Sequence, residues 1–116
     1  MSLERVLKAL MNLGLSRRDC EVYVCLATKG PQKAGNIADT LKLNKQQLYT
    51  SLKNLQNKRI VTITLEYSAR FSALPFEKAI DLLAEAKRKE AQNIEQNKKE
   101  ILSDWHSMIR RNHANS

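Results

Sequence analysis

Apolar positions recur at helical spacing along most of this chain. Leu3, Val6, Leu7, Leu10 and Met11 fall on one face of an amphipathic helix predicted over residues 3–13, which Gly14 ends. Ser16 stands as an N-cap before RRDCEVYVCLATK, where Cys20, Tyr23, Leu26 and Ala27, with Val22, form the next stripe, and Gly30-Pro31 stops it. In NIADTLKL, Ile37, Ala38 and Leu41 share a face, so about two helical turns are expected before a break at Leu43-Asn44. Asn44 then caps KQQLYTSLKNLQNKR, whose Leu48, Leu52 and Leu55 lie at the i, i+4 and i+7 positions of a buried stripe. Two helices so closely joined read as a helix-turn-helix.

The period then changes. IVTITL alternates and is rich in β-branched residues, EYS is a polar turn, and ARFSAL alternates again up to Pro75, which together predict a β-hairpin. From Phe76 to about residue 112 there is neither Pro nor Gly, and one helix about 55 Å long follows from the rise of 1.5 Å per residue. The fold class is therefore mainly α with a small hairpin. A winged helix-turn-helix is expected over residues 1–75, and a long helix over residues 76–116 as a dimerisation element. Within that helix, Ile80, Leu83, Ile94 and Ile101 follow a three-four repeat that also places Lys87, Glu90 and Asn97 on the seam. Leu102, Trp105, Met108 and Ile109 need a shift of phase. The cluster from Ile101 to Ile109 is too apolar for a solvated helix and calls for a second copy or the chain's own domain.

Charge sharpens the picture through its placement. The net charge is +8 over 116 residues, and residues 40–65 contain Lys42, Lys45, Lys53, Lys58 and Arg59 without one Asp or Glu. Residues 77–100 by contrast balance their acids and bases. A local, acid-free basic stretch inside a folded segment suits a polyanion, because each cation placed on a phosphate releases counterions. Two-domain enzymes are excluded by length. No nucleophile–base pair, carboxylate dyad, metal set or Gly-rich phosphate loop can be assembled, so neither catalysis nor a cofactor is expected. Cys20 and Cys25, five apart on a helix, match no redox or zinc spacing and read as buried thiols; His106 and His113 have no metal-ligand company. There is no signal-peptide pattern and no apolar run long enough for a bilayer, so a cytoplasmic protein with no membrane partner is expected, nucleoid-associated when bound to DNA.

Residues 13–61 resemble the N-terminal domain of the TrmB-like family of transcriptional regulators. The resemblance rests on LGLSRRDCEVYVCLATKGP, with Tyr23, Leu26 and Gly30 at the family's spacing, on NIADTLKL, and most specifically on NKQQLYTSLKNLQNKRIV. In that last block Leu48-Tyr49, then Leu52 and Leu55, stand where the family has its recognition helix; LPFEKA stands at the family's Pro-Glu helix start. The resemblance implies a winged-helix DNA-binding domain. Larger members add a C-terminal domain that responds to sugars; here only the long helix stands in its place, and no small-molecule effector is expected within this chain. The family's frequent Arg or Lys early in the recognition helix is replaced here by Gln46 and Gln47.

The expected partners are double-stranded DNA and a second copy of the chain. The recognition helix, about residues 45–58, would enter the major groove, and the wing, about residues 60–74, would touch flanking DNA. Opposite the leucine stripe, Lys45, Gln46 and Gln47 are assigned to bases, since Gln pairs bidentately with adenine and Lys with guanine. Tyr49, Thr50 and Lys53 are assigned to the backbone, with Asn54 also on the groove face. Lys33 with the N–H groups of Ala34 and Gly35 would meet a phosphate at a helix start, and in the wing Tyr67, Ser68 and Arg70 can reach DNA, with Glu66 beside them opposing phosphate. Ile80, Leu83, Ile94, Ile101, Trp105, Met108 and Ile109 are assigned to the dimer interface. The alternative is a winged helix used as a protein-interaction module of the transcription machinery, docking through its apolar C-terminal helix.

Overall fold

The computed structural model describes residues 2–64 and 68–114. Four helices, α1 (Leu3–Asn12), α2 (Arg17–Lys29), α3 (Ala34–Leu41) and α4 (Lys45–Asn57), precede two short strands, β1 (Val61–Ile63) and β2 (Phe71–Ala73). A last helix, α5 (Phe76–Ala114), follows. Residues up to Ala84 form one compact unit and those from Glu85 onward a second.

Local chemistry starts and stops these elements. The Ser16 hydroxyl accepts the Asp19 N–H at 3.1 Å to open α2. Asn44 opens α4 through a reciprocal capping box: its Oδ1 accepts the Gln47 N–H at 2.8 Å, and Gln47 Oε1 accepts the Asn44 N–H at 3.1 Å. Gly30 ends α2 at φ +85°, and a Cβ there would meet nothing within 4 Å. Backbone conformation, not crowding, is what asks for glycine at that position.

The core of the first unit is built around α2. Val22, Tyr23, Cys25 and Leu26 of that helix are buried with Leu7 and Leu10 of α1, Ile37 of α3, Leu48, Leu52 and Leu55 of α4, and Ile60, Val61 and Phe71 of the wing. Ala79 and Leu83, from the first two turns of α5, close it. Because α2 packs against α1, α3, α4 and β2, its buried arc is wider than one stripe and takes in Cys25 as well. Ala27 departs from the predicted stripe: it is exposed, at the edge of a shallow cleft with Gly30, Pro31 and Phe76.

β1 and β2 pair antiparallel, with Val61 opposite Ala73 and Ile63 opposite Phe71. The hairpin has a third, one-residue rung: Gln32 donates its N–H to the Phe71 carbonyl at 3.0 Å and accepts the Phe71 N–H at 2.8 Å. This ties the wing to the segment leading into α3, a pairing invisible in the sequence because one residue carries no period. The wing is also held from below. The fully buried Tyr23 donates its hydroxyl hydrogen to the Leu74 carbonyl at 2.5 Å, and burial, with Glu77 nearby, pushes its pKa up, which keeps the donor protonated. Tyr23→Phe is expected to destabilise the fold by about 1–2 kcal/mol in a urea titration, since it leaves a part-buried carbonyl without its donor. Both cysteines are buried free thiols, and burial first, then the Asp19 charge, pushes Cys20 up to about 11.

Candidate nucleic-acid interface

The outward face of α4 is the residue set left over once its leucines are buried. Leu48, Ser51, Leu52 and Leu55 turn into the core, whereas Lys45, Gln46, Tyr49, Thr50, Lys53 and Asn54 are exposed. Gln46, Tyr49, Thr50 and Lys53 follow the i, i+3, i+4, i+7 spacing of a single helical face. Tyr49 keeps 45% of its surface exposed, which leaves part of its ring and hydroxyl open to a partner.

Gln47 differs from its neighbours. It is half-buried and its carbonyl oxygen is occupied by the capping box, so pairing with adenine through both amide atoms would require it to release the Asn44 N–H. The pattern Asn-x-x-Gln at residues 44–47 is the sequence signal for this second role. Gln46, one residue earlier, has its amide exposed and free of that duty.

Electrostatically the face is one-signed. Lys42, Lys45, Lys53, Lys58 and Arg59 are all exposed, and among the described residues none of them is in an ion pair. Arg17, Lys87 and Arg88, away from this segment, are by contrast paired with carboxylates. Lys42, Lys58 and Arg59 were not among the residues singled out by periodicity, because they lie at helix ends where no stripe points to them. The structure places Lys42 at the left-handed C-cap of α3, in the turn between the two helices, and Arg59 at φ +65° between α4 and β1. Positive φ at two non-glycine residues on either side of α4 is a local strain, held by the packing of Leu41, Leu43 and Ile60 around them. The signal that could have found them is the acid-free run itself, read without regard to helical face.

The remaining assigned residues lie around this helix. Lys33 is the exposed N-cap of α3 and makes no side-chain cap, so the first N–H groups of α3, at Ala34 and Gly35, remain open to an anion. In the wing, Arg70 is exposed while its backbone pairs with Thr64, and Ser68 is exposed at φ +62°. Tyr67 and Glu66 lie outside the described residues. The α5 residues assigned to an interface separate into two groups. Leu83 is buried in its own chain's core and Ile80 packs against that core. Ile94, Ile101, Trp105 and Met108 are exposed, at 60, 64, 53 and 41%, with Leu102 at 46% and Ile109 half-buried.

A helix-turn-helix followed by a two-stranded hairpin defines a winged-helix fold, here with an outward basic second helix. The chain belongs to the TrmB family: it matches the sugar-specific transcriptional regulator TrmB over residues 10–77, more than half its length. Among solved structures, TrmBL2, described as an archaeal chromatin protein with a novel mode of DNA binding, superposes at a TM-score of 0.76 with 14% identity. The match covers 89% of this chain and 40% of that one, so the present chain spans well under half of TrmBL2. The ST1889 protein of Sulfolobus tokodaii is 26% identical over 80% of this chain and 99% of its own, at a TM-score of 0.63. A mutant of MepR from S. aureus bound to an oligodeoxyribonucleotide aligns at 0.57, with 12% identity over 91% of this chain and 86% of that one. No curated protein matches the chain. Among the described residues no helix is long and apolar enough to cross a membrane, and no cluster of His, Cys, Asp and Glu is suited to a metal.

Proposed function

We propose that the chain binds double-stranded DNA as a homodimer and regulates transcription, with α4 in the major groove, the β1–β2 wing on flanking DNA and the apolar face of α5 joining two copies. The observation that carries this reading is the outward face of α4, exposed and basic, without acids and, among the described residues, without ion-pair partners, backed by a fully buried leucine stripe. Cations left unpaired on a rigid helix retain their full attraction for phosphate, while neighbouring Gln and Thr supply the hydrogen bonds that read base edges or hold the backbone. Gln46 takes the base-reading role first, Gln47 only where its cap is released; Tyr49, Thr50 and Lys53 hold phosphates. Lys33 at the start of α3 and Arg70 in the wing would add contacts on either side. The domain limits follow the same reading, with residues 1–75 as the DNA-binding part and the long helix from residue 76 as the dimerisation element.

The test is anisotropy of a labelled nonspecific duplex titrated at several salt concentrations. A logarithmic affinity that falls steeply and linearly with logarithmic salt, at about 0.9 per phosphate contacted, supports the reading; duplex binding that ignores salt overturns it. A second reading, a protein-interaction module, is favoured by one observation: Ile101, Leu102, Trp105 and Met108 present a large apolar face on a single copy. A monomer in solution with no DNA affinity would select it.

A further inference from the structure

Three helices of the first unit end in the same way. After α1 the Leu15 N–H reaches the Leu10 carbonyl at 3.3 Å, after α3 the Leu43 N–H reaches the Ala38 carbonyl at 3.0 Å, and after α4 the Ile60 N–H reaches the Leu55 carbonyl at 3.1 Å. The residue just before each donor has a positive φ: Gly14 at +106°, Lys42 at +55° and Arg59 at +65°. The donor itself is apolar each time, with Leu15 and Ile60 buried and Leu43 packed against the core. This is the Schellman stop, whose left-handed position glycine fills most readily because a Cβ crowds the backbone there.

The residue at that position changes with its place in the fold. Gly14 stands between α1 and α2, and Gly30, also at positive φ, ends α2. At the two stops that flank α4 a cation stands instead of glycine, Lys42 in the turn before the helix and Arg59 in the turn after it. Both are exposed, and among the described residues neither side chain is in an ion pair or a hydrogen bond. Ser68, the third non-glycine residue at positive φ among those described, lies in the wing. A cation at a helix C-terminus also answers the helix dipole, but Lys58 at the C-cap of α4 already supplies that without a left-handed backbone. Strain of this kind persists where a side chain is needed at that place for binding.

We infer, on the DNA-binding reading above, that Lys42 and Arg59 are phosphate contacts that hold the two ends of α4 on the DNA backbone. With 13 residues, α4 is about 20 Å long at 1.5 Å per residue, and a major groove is about 12 Å wide. Cations beyond its two ends are therefore spaced for opposite walls of the groove, not for neighbouring phosphates. Such a pair fixes the register of the helix and leaves base reading to the side chains between them. Carried on packed turns, both cations start from a fixed backbone, which lowers the entropy lost on contact.

The experiment measures anisotropy of a labelled random-sequence duplex with the full chain over a salt series, and melting by circular dichroism. Lys42→Gly/Arg59→Gly is expected to bind about tenfold more weakly at physiological ionic strength, with the slope of logarithmic affinity against logarithmic salt flatter by about 1.8 per protomer. Its melting temperature should hold or rise, since glycine relieves both left-handed turns. Lys42→Asn/Arg59→Asn, uncharged and tolerant of the same backbone, should show the same loss of affinity and serves if the glycine variant does not fold. Lys98→Gln/Lys99→Gln, an equal loss of charge on α5, should leave the slope unchanged. A slope retained in the folded turn variants, beside a steep one in the wild type, overturns the contacts and leaves the DNA reading standing. A wild type whose duplex binding ignores salt overturns both. Equal flattening by the α5 variant, or a lower melting temperature with affinity retained, also overturns the assignment, the latter by giving the two cations to the helix ends.

Discussion

Replacing Lys45 and Lys53 together with Gln is expected to lower affinity for any duplex by about ten- to a hundredfold at physiological ionic strength while leaving the melting temperature of the protein unchanged. Both side chains are exposed and unpaired among the described residues, so their removal strips charge from the surface without opening a cavity or orphaning a partner. If each one neutralises a phosphate, the slope of logarithmic affinity against logarithmic salt should flatten by about 1.8 per protomer. Gln46→Ala should behave differently: a loss of about 1–3 kcal/mol on the preferred sequence, little loss on others, and no change of slope. Anisotropy titrations over a salt series separate the two patterns. An unchanged slope in the lysine variant would remove α4 from the interface, whatever the total affinity.

The second large effect is expected at the other end of the chain. Ile101→Asp/Trp105→Asp should convert a species of twice 13.3 kDa into one of 13.3 kDa by light scattering, with the helical content preserved. Each large apolar side chain contributes about 1.5–3 kcal/mol when fully buried, and Ile94, Ile101, Leu102, Trp105 and Met108 are all exposed on a single copy. Met108 follows Ile101 by seven, as Ile101 follows Ile94, so it needs no shift of phase after all; with Trp105 four residues after Ile101, the four share one helical face, suited to a helical partner. Two linked domains bind two half-sites by effective concentration, so the monomeric variant should also lose about a hundredfold in affinity for a palindromic duplex, far more than for a single half-site. Equal losses on both duplexes would mean that dimerisation contributes nothing to binding. A wild-type chain already monomeric would sink the pairing altogether.

These two surfaces differ in how far the amino-acid order reveals them. The face of α4 was readable in advance because one arithmetic separates it: bury Leu48, Leu52 and Leu55, and the polar remainder must point out. The role of Gln47 was legible only in part: Asn44-x-x-Gln47 signals a capping box, but that its amide oxygen is held by the Asn44 N–H is settled by geometry within a single turn. On α5 the periodicity placed Ile80 and Leu83 in the same seam as Ile94 and Ile101. The structure separates them, because the first two turns of α5 are drawn into the domain's own core with Ala79, while Ile94 and Ile101 are exposed. A heptad count cannot tell an intramolecular partner from an intermolecular one, as both bury the same stripe.

What the chain's order determined by itself is the element sequence, the leucine face of the recognition helix and the segregation of positive charge into one acid-free run. All three depend on spacing between near neighbours, which propensity, capping and periodicity read directly. What only the tertiary structure decided are contacts between residues far apart in the chain. Tyr23 reaches the Leu74 carbonyl across 51 residues, Gln32 adds a rung to the wing at Phe71, and Arg17 of α2 clasps Glu4 of α1. No local pattern encodes such pairs, because their energy appears only once the chain has closed around the core and brought the partners within hydrogen-bonding distance.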